Sequence, residues 1–234
     1  MITFTELSIG TGGIAACVLC ARASDAIAIE PYPLNRLAPD SLRPESRGGR
    51  GVTLVGFEPF AHPELPALIA ALRIGGWERI RLRSDCGALM TSGNAEGVLE
   101  AGVSQLEAVL LGDESTHDRL TGRKGLYQAA TLGIRAFTAA ASTSAARTVL
   151  TGYVPLCQHN ARSAAFGVAH LAALGAVAVH VDASLVGRGD EAYVIAALDT
   201  AAASGMAGFV TGWSGPVPRP QETAPWCVEV GGRG

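Results

Sequence analysis

Short runs of β-branched and apolar residues recur along the chain, and each is followed by a stretch whose apolar positions repeat at helical spacing. The runs are Phe4 to Ile9, Val52 to Val55, Ile80 to Leu82, Leu106 to Leu111, Thr148 to Val154 and Val177 to Val181. In Glu64 to Arg73, the residues Leu65, Leu68, Ile69 and Leu72 stand at i, i+3, i+4 and i+7, one face of a helix. Pro63 suits the first turn of that helix and Gly75-Gly76 its end. Further helices are predicted from Ala95 to Ala101, Leu126 to Ala140, Ser163 to Leu174 and Glu191 to Ala203.

Strands that alternate with helices form parallel sheets buried on both faces, and such strands read as continuous apolar runs, as Val177 to Val181 nearly does. The expected class is therefore α/β. A closed barrel of eight strand–helix units takes roughly 250 residues. Six units in 234 residues predict a partial (β/α)6 TIM-like barrel of parallel strands with outer helices, a doubly wound sheet being the alternative. In both architectures function gathers beyond the C-terminal ends of the strands. Residues 1–212 are expected to form the barrel. Within them 25–50 is a loop insertion, because its Pro, Arg, Gly and Ser repeat with neither a strand nor a helix period. Residues 213–234, rich in Pro and Gly and carrying Trp226 and Cys227, are expected as a C-terminal tail.

Composition narrows the function classes. Hydrophobic residues make up 48% and charged residues 17% of the chain, with a mean hydropathy of +0.27, which is not the composition of a disordered chain. Gly, Ser, Thr, Arg or Asp punctuates every apolar run, so no membrane span is expected. Eighteen Lys and Arg against 21 Asp and Glu give a formal charge of -3 with neither sign gathered, which leaves no nucleic-acid footprint. The N-terminus reads as a strand, with no Lys or Arg ahead of an apolar segment, so a cytoplasmic location is expected. Cys17, Cys20, Cys86, Cys157 and Cys227 are an odd set, which favours thiols or metal ligands over disulfides.

Two strand ends run into loops that invite chemistry. The first leads into Gly10-Thr-Gly-Gly-Ile-Ala-Ala-Cys17-Val-Leu-Cys20, the second into Gly56-Phe57-Glu58-Pro59-Phe60. Taken alone, Cys17 and Cys20 read first as small packed thiols; half of a zinc site, with no second C-x-x-C, and a redox pair, which belongs on a smaller fold, are minor readings. Gly56 to Phe60 reads as a strand-to-helix turn with a carboxylate at the helix start. Gly10-Thr-Gly-Gly lacks the third glycine and the lysine of a phosphate loop. His117-Asp118 reads as an acid/base pair, or as a cap and a salt bridge to Arg119 or Arg123 on a solvated loop. Cys157-Gln158-His159-Asn160 follows an apolar strand and offers polar side chains to a ligand, whereas His170 and His180 sit in apolar surroundings and read as core histidines.

In order and spacing, these segments resemble the radical S-adenosylmethionine (radical SAM) superfamily. That family carries a C-x-x-x-C-x-x-C loop for a 4Fe-4S cluster after its first strand, and a Gly-Gly-Glu-Pro segment that contacts the cofactor's methionyl part after its second. Ser84-Asp85-Cys86-Gly87-Ala88-Leu89 resembles the family's Thr-Asn-Gly-Thr-Leu run. Leu111 to Gly122 is similar to its His-Asp loop, and Asn160 fits after the fifth strand. The resemblance implies cofactor contacts at Gly56, Phe57, Glu58 and Pro59, substrate contacts at Asp85, Cys86, Cys157, His159 and Asn160, and metal ligation at Cys17 and Cys20. The departures are specific. Gly13 stands where the family has its first cysteine, Leu19 where an aromatic residue is usual, and Phe57 where the second glycine belongs. A site-differentiated cluster needs three thiolates, and Gly13 has no side chain to give.

A 4Fe-4S cluster and S-adenosylmethionine are therefore expected only if a third ligand replaces Gly13, for which Cys86, Cys157, His117 and His159 are the candidates; otherwise no cofactor is expected. No catalytic residue is assigned. The resemblance then implies a non-catalytic or accessory, pseudoenzyme-like subunit that binds a peptide or small-molecule substrate or a partner radical SAM maturase. The alternative is an active enzyme with a non-standard ligand set that generates a 5′-deoxyadenosyl radical.

Overall fold

The computed structural model describes residues 4–13, 30–37, 39–44, 50–144, 147–186, 191–211 and 226–228. Cys17, Cys20 and Leu19 lie outside the described residues. The strands are β1 (Phe4–Gly13), β2 (Gly51–Phe57), β3 (Arg79–Ser84), β4 (Gln105–Val109), β5 (Val149–Cys157), β6 (Ala178–Leu185), β7 (Ala207–Thr211) and β8 (Trp226–Val228). The helices are α1 (Leu65–Gly75), α2 (Asn94–Glu100), α3 (Glu114–Thr121), α4 (Leu126–Thr143), α5 (Ala164–Ala173) and α6 (Glu191–Ala203). The strands follow chain order in the sheet and the class is α/β, a partial barrel of parallel strands with helices. No helix among the described residues is long and apolar enough to cross a membrane.

The chain divides into two compact units, Met1–Glu107 with Gln128–Val149, and Ala108–Tyr127 with Leu150–Gly234. In the first, β1 pairs parallel with β2 and β2 with β3. Alternate residues of β3 have opposite fates: Ile80 and Leu82 are completely buried, while Arg81 and Arg83 share the other face with Glu107 of β4. Arg83 Nε donates to Glu107 at 2.6 Å and Arg83 Nη1 lies 2.9 Å from Glu6. Arg81 stacks over the Phe4 ring at 3.6 Å and lies 3.3 Å from Glu107. Buried charges persist only when paired in this way. The amphipathic face read from the sequence is the one α1 buries, with Leu65, Leu68, Ile69 and Leu72 inside and Gly76 closing the helix in the left-handed region. The helix starts just after Pro63, at Leu65, with Glu64 at its N-cap and Pro66 in the first turn.

In the second unit β5, β6, β7 and β8 pair in parallel. Gly152 identifies the helix side of β5, because a Cβ there would sit 2.5 Å from Leu171 of α5 and 3.2 Å from Val179. Val154, Val179, Val181 and Val210 are buried, whereas Tyr153, His180, Asp182, Phe209 and Thr211, at alternate positions, are half-buried.

The structure corrects several sequence expectations. A seventh strand and an eighth extend the six, and the segment carrying Trp226 and Cys227 pairs as β8 along β7. The segment expected as a solvated loop at 113–121 folds into α3, capped by Asp113, whose carboxylate accepts from the Thr116 N–H at 2.8 Å. His117 is buried in that helix and accepts from the Leu111 N–H through Nδ1. The Asp118 carboxylate accepts the backbone N–H groups of Gly125 and Tyr127. His170 and His180 are half-buried and not core residues: His170 stacks on Tyr127 with centroids 5.1 Å apart, and His180 bonds Thr211.

Gly133 in α4 is fixed by packing against β3's end: a Cβ there would lie 2.1 Å from the Cys86 carbonyl oxygen and 3.0 Å from Leu89 Cβ. Alanine normally stabilises a helix interior by about 1 kcal/mol over glycine. Gly97, exposed in α2 with nothing within 4 Å of such a Cβ, should show that gain. Gly133→Ala should instead destabilise by about 1–3 kcal/mol, because the overlap is with backbone. Denaturant melts of the two variants check the opposite signs, and a stabilised Gly133→Ala refutes the packing account.

Candidate functional site

The ends of β2 and β3 meet in the first unit. Gly56 takes φ +83°, and a Cβ at that position would press 2.3 Å from Ser8 Oγ and 2.7 Å from the Gly10 carbonyl oxygen, so only glycine passes. The chain then turns through Phe57, Glu58 and a single 3-10 turn, Pro59–Ala61. Phe57 is buried, edge-on to His62 with ring centroids 6.2 Å apart. Its backbone is the register partner of Gly13 across β1 and β2. The two departures from the family pattern thus stand side by side at one strand end, with no side chain on one strand and a buried aromatic ring on the other.

Glu58 ties β2 to β3. Its Oε1 accepts from the Ser84 hydroxyl at 2.7 Å and from the Phe60 N–H at 3.2 Å, and its Oε2 from the Asp85 N–H at 2.9 Å. Ser84 Oγ in turn accepts from the Cys86 N–H at 2.8 Å, and Asp85 Oδ1 from the Gly87 N–H at 2.9 Å. Ser84, Asp85 and Cys86 are all buried. Burial, and then the charge of Asp85, push Glu58 up to about 8 against the opposing pull of its three hydrogen bonds. Burial also raises the Cys86 thiol well above its ordinary value, with Glu58 and Asp85 adding to the effect. Cys86 holds φ +61°, the only non-glycine with positive φ among the described residues, and its thiol bonds the Ser84 carbonyl oxygen. It is a protonated, packed cysteine and not a thiolate.

The second unit holds the other candidate segment. Asn160 is buried and staples the turn after β5: its Oδ1 accepts from the Cys157 N–H at 2.8 Å and its Nδ2 donates to the Pro155 carbonyl at 2.7 Å. Cys157 Sγ is buried and accepts from the His159 N–H at 3.4 Å. His159 is half-exposed, its ring 3.2 Å from Gln158 Nε2, and its carbonyl accepts from Arg119. Of the residues singled out in the sequence, Glu58, Asp85 and Cys86 converge in the first unit. Cys157, His159 and Asn160 converge in the second.

Sequence reading missed a third group, on β5, β6 and β7. The Tyr153 hydroxyl donates to Asp182 Oδ2 at 2.5 Å, and His180 Nε2 lies 2.7 Å from Thr211 Oγ1. The signal was present: in His180-Val-Asp182-Ala-Ser184 polar residues alternate with small apolar ones, the period of a strand with one face off the helices.

Among the described residues the donors do not make a 4Fe-4S site: Gly13 contributes no ligand, and no three His, Cys, Asp or Glu converge on a metal position, while Cys17 and Cys20 lie outside those residues. The Glu58 carboxylate, carried over as a cofactor contact, is occupied by three donors of its own chain.

No protein-family model matches the chain, and no curated protein matches it. Among solved structures it is similar to Streptococcus suis SuiB bound to precursor peptide SuiA, with a TM-score of 0.53 and 13% identity. That similarity covers 76% of this chain and 38% of SuiB. At this identity the likeness is one of fold.

Because Glu58 carries a pKa of about 8 in the folded chain against 4.5 ordinarily, the folded state binds the extra proton between those values. The stability this confers is complete below the lower value and is lost as pH rises through the upper one. Unfolding free energy should fall by about 2–3 kcal/mol between about pH 6 and about pH 8.5, and Glu58→Gln should flatten that slope. Denaturant titrations at both pH values decide it: a flat or rising wild-type profile shows that the carboxyl is ionised throughout.

Proposed function

We propose that this chain is a radical-SAM-like protein whose cluster and cofactor site is degenerate, and that it serves as a non-catalytic or accessory subunit that binds a peptide, alongside a partner maturase. The observation that carries the reading is the register pair of Gly13 and Phe57. A strand end without a thiol donor, facing a buried ring where the family leaves room for the cofactor, is poorly made for holding a cluster and a nucleoside sulfonium. The peptide half of the reading draws its support from the fold shared with SuiB, which was solved with a precursor peptide bound. Polar faces that the helices leave uncovered, as on β5, β6 and β7, give such a fold somewhere to hold an extended chain.

Anaerobic reconstitution with iron and sulfide should leave the wild-type chain well short of about four irons, and reduction in the presence of S-adenosylmethionine should release no 5′-deoxyadenosine. Gly13→Cys combined with Phe57→Gly should raise iron uptake. Iron and sulfide assays with chromatography of the nucleoside are the measurements. A brown wild-type protein with a full cluster and deoxyadenosine release overturns the accessory reading in favour of an active enzyme.

A further inference from the structure

We infer that the face of the second unit formed by Tyr153, His180, Phe209, Asp182 and Thr211 is a binding site for a cationic side chain, the ammonium of a lysine or the guanidinium of an arginine carried by a peptide. The inference deepens the peptide-binding reading and rests on it for the nature of the ligand. Parallel register builds the site. Tyr153, His180 and Phe209 are register partners across β5, β6 and β7, and Asp182 and Thr211 are partners one pleat further toward the C-terminal ends. Three rings therefore form one row, with Tyr153 and His180 edge to face at 5.1 Å, and a carboxylate stands above them. All five side chains are half-buried on the face opposite the one that Gly152 turns toward α5.

The charge balance points to the ligand. Asp182 stays ionised although burial opposes it, because the Tyr153 hydroxyl and Ser184 donate to it and His180 lies near. No Lys or Arg among the described residues pairs with Asp182, whereas Glu6 and Glu107 of the first unit are each answered by an arginine. A carboxylate held ionised beside aromatic rings, with no Lys or Arg partner among the described residues, favours a cation whose stem packs on the rings and whose head reaches the oxygens.

The test uses the full chain at about pH 7.5, above the usual histidine range. The probes are an alanine-rich peptide bearing one lysine, the same peptide with norleucine or glutamate in its place, and n-butylammonium alone. The lysine peptide should bind wild type about tenfold or more tightly than the norleucine peptide, and Asp182→Asn should abolish that difference. If Asp182→Asn does not fold, magnetisation transfer from butylammonium to the Tyr153 and Phe209 ring protons of wild type supplies the same evidence. Equal binding of lysine and norleucine peptides overturns the site while leaving peptide binding standing, and preference for the glutamate peptide overturns it outright. Butylammonium binding that depends on Asp182, with no peptide bound, supports the site and removes the peptide reading.

Discussion

Parallel pairing constrains everything else in this chain. From β2 to β7 the chain returns between parallel strands through helices, and these helices cover one face of the sheet, so alternate residues of those strands meet opposite surroundings. On β3 the covered face takes Ile80 and Leu82 and the other takes Arg81 and Arg83. On β5 to β7 the covered face takes Val154, Val179, Val181 and Val210, and the other takes rings and a carboxylate. The two units answer the same constraint differently. In the first, the polar face is closed by its own ion pairs, with Arg83 held between Glu6 and Glu107. In the second, the Asp182 carboxylate is held by the Tyr153 hydroxyl and Ser184, with His180 near it and no arginine or lysine partner among the described residues.

Where two parallel strands end side by side, their backbone donors need partners, and Glu58 supplies them to Asp85 and Phe60 while taking the Ser84 hydroxyl. That arrangement gives the Glu-Pro dipeptide a structural occupation. With both oxygens bonded to its own chain, Glu58 acts as a clamp between the two strand ends. Cys86 tells the same story, since its left-handed backbone and buried thiol serve the turn into Leu89 and the close approach of Gly133.

The class of fold was legible in the sequence because six apolar runs separated by helical periods admit few arrangements other than parallel strands under helices. Helix α6 is found at its expected limits and α1 buries the expected face. The misreadings have physical causes. Leu111 to Gly122 is rich in Asp, Ser, Thr and His, so its composition reads as loop, yet the Asp113 cap and tertiary burial of His117 and Leu120 hold it helical. β7 is only five residues long and contains glycine, and β8 only three, both too short for a period to show.

What the sequence alone determined is local: which segments become strands and helices, which helix faces are apolar, and that position 13 has no thiol to offer. Tertiary structure alone decided that Gly13 lies opposite Phe57, that Glu58 spends its oxygens on its own chain, and that Tyr153, Asp182, His180 and Thr211 stand together. The reason is that register between strands distant in sequence is set by packing summed over whole sheet faces, and no single strand carries that information.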